Sequence, residues 1–145
     1  MERVVIDTNV FVAAGFNPRS AAARILDRVR DGRFQLVWNR PTREETEMIL
    51  RRIPRLDWGQ FAELFQPEAE FSGAVDPDAF GRIADRDDRK FAALSTAANV
   101  PLVTSDKHLL AHRNTIGIDI VTPSAFLERD GQITASRQAT KGEPP

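Results

Sequence analysis

Val4-Val5-Ile6-Asp7-Thr8-Asn9 is the stretch whose reading decides the fold. Three consecutive β-branched apolar residues suit a central strand of a parallel sheet, buried on both faces rather than one. The run stops abruptly on Asp-Thr-Asn, residue types that favour turns and helix starts. Asp7 thus sits just past a strand's carboxyl end, where open α/β sheets bind their ligands.

Working outward, apolar periodicity alternates between strand and helix. Ala13 to Asn17 is expected as a turn, with Phe16 packed in the core or, less conventionally, stacking on a base beside the cleft. Ala22, Ile25, Leu26 and Val29 recur at helical spacing until Asp31-Gly32 stops them. Phe34 to Trp38 reads as a second strand, and Thr42 to Arg52 as a helix closed by Pro54. Trp58 to Phe65 makes a short helix, and Pro67 to Asp78 is a loop with room for a short strand. A helix follows from Asp88 through Ala98, then a strand at Leu102 to Thr104, a short helix at Leu109-Leu110, a strand at Ile118 to Val121 and a last helical turn at Pro123 to Leu127. Such alternation predicts a three-layer α/β/α sandwich with a mostly parallel central sheet. One domain is expected over residues 1–129, with the polar stretch 130–145 a disordered tail.

Composition narrows the chemistry. At 145 residues the chain suits one domain with a real core. No apolar run approaches the roughly 20 residues of a membrane helix, and an acidic start argues against a secretory signal, so a cytoplasmic location is expected. There is no cysteine and there are two histidines, His108 and His112, which leaves oxygen as the donor for any metal. Twenty basic residues against 21 acidic ones give a net charge of -1, so binding to nucleic acid would rest on a local patch.

Four acidic positions are candidates for one cleft. Asp7 and Asp106 follow strands, although an Asp there also caps the next helix. Glu45 shares a helical face with Met48 and Ile49, where a carboxylate is costly unless paired or bound to a cation. Its alternative role is a capping box with Thr42, and Glu44 takes its place if the phase is off by one residue. Asp88 shares a face with Phe91, Ala92 and Ser95 and so points inward, whereas Asp85 and Asp87 are cap candidates, Asp85 also being a further candidate ligand. Gathered together, these carboxylates would raise one another's pKa values unless cations neutralised them. Mg²⁺ or Mn²⁺ fits an all-oxygen site, and two such ions about 4 Å apart can activate a water and stabilise a leaving oxygen. Asn9 and Thr104 supply neutral oxygens nearby. Arg43, Arg86, Arg89 and Lys107 are candidates to hold a phosphate backbone, with Arg40, Lys90, Arg19 and Arg24 also near the motifs.

Taken in order, Val4-Val5-Ile6-Asp7-Thr8-Asn9-Val10-Phe11, Asp88-Arg89-Lys90-Phe91-Ala92-Ala93 and Leu102-Val103-Thr104-Ser105-Asp106-Lys107 resemble the PIN-domain nucleases, particularly the toxin ribonucleases of bacterial VapBC-type toxin-antitoxin pairs. The resemblance runs from Arg3 to about Leu127. It implies a metal-dependent endoribonuclease in which Asp7, Glu45, Asp88 and Asp106 match the family's acidic positions, on a PIN-like parallel α/β sheet. It further implies a homodimer whose groove is blocked by an antitoxin protein. Arg43 departs from the pattern, standing where the family often has an apolar residue. Two other classes stay open: a non-catalytic PIN-like RNA-binding or regulatory module, and a phosphatase of the haloacid dehalogenase type. The latter needs a second Asp two residues past the first, where this chain has Asn9.

Overall fold

In the computed structural model of the protein, residues 2–131 are described. Strand β1 (Glu2–Ile6) leads into α1 (Thr8–Phe16) and α2 (Ala21–Arg30), then β2 (Phe34–Leu36) and α3 (Arg40–Arg51). After the short α4 (Gly59–Ala62) and two 3-10 turns (Pro67–Ala69, Pro77–Phe80) come α5 (Arg86–Ala98), β3 (Leu102–Val103), α6 (Lys107–Leu110) and β4 (Ile120–Val121). Residues 123–131 are helical (α7), opened by Thr122, whose hydroxyl accepts from the Ala125 amide at 3.1 Å.

The four strands are all parallel, in the order β2-β1-β3-β4. Side chains alternate across a strand, so β1 feeds two cores. Val4 and Ile6 join Phe34, Leu36 and residues of α1 and α2 on one face, while Val5 joins Phe91, Leu94 and Leu102 on the other. Helices on both faces complete the expected α/β sandwich. That double burial is why Val4-Val5-Ile6 shows no polar alternation. The chain steps from β1 to β2 on one side and later to β3 on the other, which makes the β1–β3 junction a topological switch point.

Several local expectations need correction. Ala13 to Asn17 is not a turn after the strand: Thr8–Phe16 is a helix that begins one residue beyond Asp7. Its nearly uniform apolar character hides the helical period, and Gly15 signals close packing rather than a break. A Cβ there would lie 2.6 Å from Leu56 Cδ2. Phe16 at the helix end is 53% exposed, not in the core. The second strand stops at Leu36, and Trp38 instead makes an isolated parallel bridge to Glu70, so that among the described residues Pro67 to Asp78 contains a bridge but no strand.

Helix α3 starts earlier than the sequence suggests. Asn39 is its N-cap, and a capping box joins Asn39 to Thr42 through reciprocal bonds of 3.1 Å. Thr42 is therefore the inner member of a box, not the cap, and the Thr42–Glu45 box does not form. Glu45 is left available for another role. Of the expected 130–145 tail, residues 132–145 lie outside the described residues, while Asp130 pairs with Arg33 at 3.0 Å and Arg28 at 3.4 Å.

Candidate active site

Asp7 occupies the N-cap of α1, yet its side chain makes no capping hydrogen bond. Its Oδ2 instead accepts from the Thr104 hydroxyl at 2.7 Å, from just beyond β3. Thr104 Oγ1 in turn accepts from the Asp106 amide at 3.0 Å, which commits the hydroxyl's proton to Asp7. The strands align these groups, since the Asp7 amide donates to Val103 O at 3.0 Å across the β1–β3 junction. Asp106 caps α6, its Oδ1 accepting from the His108 amide at 2.8 Å. Capping thus accounts for the Asp106 hydrogen bond, whereas the Thr104 bond of Asp7 is not a cap.

Asp88 lies in the first turn of α5 and faces inward as its phase predicts, with Phe91, Ala92 and Ser95 also buried. Asp85 is the N-cap, its Oδ1 accepting from the Asp87 amide at 2.9 Å. Burial raises Asp7 from 3.8 to about 6, despite the opposing Thr104 bond, with the Asp106 and Asp85 charges adding to the rise. Burial also raises Asp88 to about 7, followed by the charges of Asp7, Asp85 and Asp106 and a hydrogen bond with Asp106. Asp7, Asp85, Asp88 and Asp106 therefore act on one another, from three segments.

Glu45 is placed differently. It is buried, while the adjacent Glu44 is exposed and paired with Arg40 at 2.7 Å, so of the two only Glu45 faces inward. Glu45 Oε2 meets Lys90 Nζ at 3.2 Å. A contact that sequence reasoning missed joins Thr8 and Thr46, whose hydroxyls share a buried hydrogen bond of 2.9 Å. It ties the helix after Asp7 to the helix bearing Glu45. The available signal was a Thr directly after each candidate acid, Thr46 lying on the α3 face that also buries Thr42 and Leu50.

The basic candidates divide. Arg43 lies over Trp58 at 5.5 Å and Phe65 at 5.9 Å and pairs with Glu47 at 3.3 Å. Arg89 donates to Ile83 O at 2.7 Å and Gly81 O at 3.3 Å, bracing the loop before α5. Arg86, Lys107, Arg19 and Arg24 are exposed, as is Asn9. A cavity of about 440 Å³ beside β2, lined by residues such as Val29, Phe34 and Leu64, contains none of the candidate carboxylates.

As the side chains stand, no group of three or more His, Asp or Glu among the described residues is arranged to hold a metal ion. The donor chemistry nevertheless suits a hard cation. Two buried carboxylates with raised pKa values carry charge that the neighbouring Thr104 hydroxyl only partly offsets. In chelator, this has a consequence for stability. The folded chain holds protons on Asp7 and Asp88 that the unfolded chain has already lost, so stability falls as pH rises from about 4 to 7 and then levels. Urea unfolding in EDTA should give a lower midpoint at pH 8 than at pH 5.5. A higher midpoint at pH 8 would contradict the raised values.

A parallel α/β domain whose switch point gathers carboxylates from the ends of β1 and β3 and the start of α5 belongs to the class of open α/β sheets, whose ligands bind beyond the strands' carboxyl ends. The particular family follows from comparison: the PIN domain family profile matches residues 3–108, and the chain belongs to that family. PIN domains are typically nucleases that use divalent metal ions, and the phosphatase alternative falls with this assignment. The uncharacterized protein MJ1680 of Methanocaldococcus jannaschii is 27% identical, over 87% of this chain and 90% of its own. The crystal structure of PAE2754 from Pyrobaculum aerophilum superposes with a TM-score of 0.53 at 18% identity, covering 88% of this chain and 96% of that one, and shares the fold.

Proposed function

We propose that this PIN domain is a metal-dependent endoribonuclease that hydrolyses RNA phosphodiester bonds with Mg²⁺ or Mn²⁺. The observation that carries the reading is the pair of buried carboxylates, Asp7 and Asp88, whose charges repel across the switch point. Burying such a pair costs stability, and a divalent cation offsets that cost. Asp7, Asp88 and Asp106 would hold it, with Asp85 and Glu45 beside them. When bound, the cation supplies charge for activating water and for the phosphate oxygens.

This chain's own residues do the rest. Thr104 fixes the Asp7 carboxylate by donating to one oxygen, which leaves the other for the cation. Arg86 and Lys107, exposed and next in sequence to Asp85 and Asp106, would draw in the phosphate backbone. Arg43 and Arg89 are already engaged with aromatic rings and loop carbonyls, so they serve the fold first.

Among the described residues no helix is long and apolar enough to cross a membrane. Following the VapBC-type resemblance, we place the chain as the toxin of a toxin-antitoxin pair, acting in the cytoplasm as a homodimer and blocked by a cognate antitoxin. Purified protein incubated with mixed RNAs should cut them with Mn²⁺ or Mg²⁺ and stop in EDTA. Cleavage that persists in chelator would sink the mechanism. Failure of a co-expressed neighbouring small protein to relieve toxicity would remove the toxin role alone.

A further inference from the structure

We infer that Lys90 is a built-in cation of this site, its ammonium occupying Glu45 so that the carboxylates take one divalent ion per chain rather than two. The inference rests on the metal reading above and specifies its stoichiometry.

Glu45 is held from two directions. Thr46, next to it on α3, is bonded to Thr8 beside Asp7, and Lys90 reaches across from α5, the helix that carries Asp88. Only 10% of the Glu45 side chain and 22% of the Lys90 side chain are exposed, and their charged atoms stand 3.2 Å apart. An ion pair this shielded from water is hard to displace, because Glu45 left alone would be an uncompensated buried charge. Among the described residues Asp7 and Asp88 have no such partner, and their neighbours Asp85 and Asp106 add negative charge. Positive charge is therefore already provided at Glu45, which the Thr8–Thr46 bond ties to the helix beside Asp7, and lacking at Asp7 and Asp88.

A first divalent ion meets its full attraction beside Asp7 and Asp88. A second, to use Glu45, must drive off an ammonium. Lys90 does have another seat, since Asp87 Oδ1 lies 3.6 Å from Nζ and the Asp87 side chain is 62% exposed. The pair Glu45 and Asp87 thus gives Lys90 an inner and an outer partner, and the inner one is the shorter contact.

Isothermal titration of the full-length protein with Mn²⁺ tests this. Wild type should bind one ion per chain, and Lys90→Met, which keeps the aliphatic stem, should bind a second. Lys90→Arg should remain at one. The double variant Lys90→Met/Glu45→Gln should return to one, which separates a loss of the ion pair from a general change in fold. Two ions on wild type, or identical stoichiometry and affinity in wild type and Lys90→Met, would overturn the role of Lys90. No Mn²⁺ binding to any of them would instead fail the metal reading itself. If Lys90→Met does not fold, Lys90→Gln is titrated in its place with the same expectation.

Discussion

Asp7→Asn is expected to abolish RNA cleavage while raising the melting temperature of the metal-free protein. The two effects share one cause. Asp7 is 2% exposed and sits near Asp85, Asp88 and Asp106, and a pKa raised to about 6 measures how poorly its charge is tolerated. The shift corresponds to about 3 kcal/mol against the ionised form at high pH. Asparagine keeps the shape and its carbonyl oxygen can still accept from Thr104. Part of the cost returns with the desolvated amide, so a net gain of roughly 1–2 kcal/mol is expected at pH 8, a rise of several degrees. Activity should move the other way. On the proposed reading Asp7 holds the cation, and its loss would remove several kcal/mol of transition-state stabilisation, about a thousandfold or more in rate. Thermal melts in EDTA and in Mn²⁺ check both halves, because ligand binding stabilises only the form that binds. Wild type should overtake Asp7→Asn when Mn²⁺ is added. An Asp7→Asn protein that melts lower than wild type in EDTA would mean that Asp7 is a structural acid.

How much of this was legible in sequence depends on whether the signal is local. Val4-Val5-Ile6 announced a two-sided strand because burial on both faces is written into consecutive residues. The inward phase of Asp88 was readable from Phe91, Ala92 and Ser95, whereas Glu45 is buried among Thr42, Thr46 and Leu50 and not beside Met48, which is 40% exposed. α1 was not readable, since a helix covered on most sides loses the polar stripe that marks its period. The cap of α3 was misplaced by three residues because Asn39 and Thr42 are both good cap residues, and only the backbone shows where the helix starts. Contacts between distant segments left no local trace at all. Thr104 on Asp7, Thr8 with Thr46 and Lys90 on Glu45 each join groups 38 or more residues apart. Those contacts are what turn a collection of acidic candidates into an unequal site, with one acid neutralised and two strained. Arg43 shows how a contact can go unread in the other direction. A basic residue beside an acidic motif suggested substrate, yet two aromatic rings already hold it.

Those rings lead to the largest expected stability loss, that of Phe11→Ala. Phe11 lies on the first turns of α1, is 1% exposed, stacks on Phe65 at 5.6 Å and meets Phe61 edge-on at 6.2 Å. Phe65 continues the cluster to Trp58 at 5.6 Å and Trp38 at 5.9 Å, with Arg43 across Phe65 and Trp58. Through Phe11 this cluster anchors the helix that starts beside Asp7 to the segment between α3 and the first 3-10 turn. Truncating a buried phenylalanine removes its transfer energy and leaves a cavity, a loss of about 3–5 kcal/mol. Against the roughly 5–15 kcal/mol that holds a domain together, such a loss is a large fraction. Urea unfolding at fixed pH should show the midpoint fall with little change in slope. A loss under about 1 kcal/mol would show that the neighbouring rings close over the gap, so that Phe11 does not anchor α1. Phe11→Ala leaves every carboxylate in place. Well below its melting temperature it should bind Mn²⁺ with wild-type stoichiometry, so that together with Asp7→Asn it separates the residues that hold the site from those that make its chemistry.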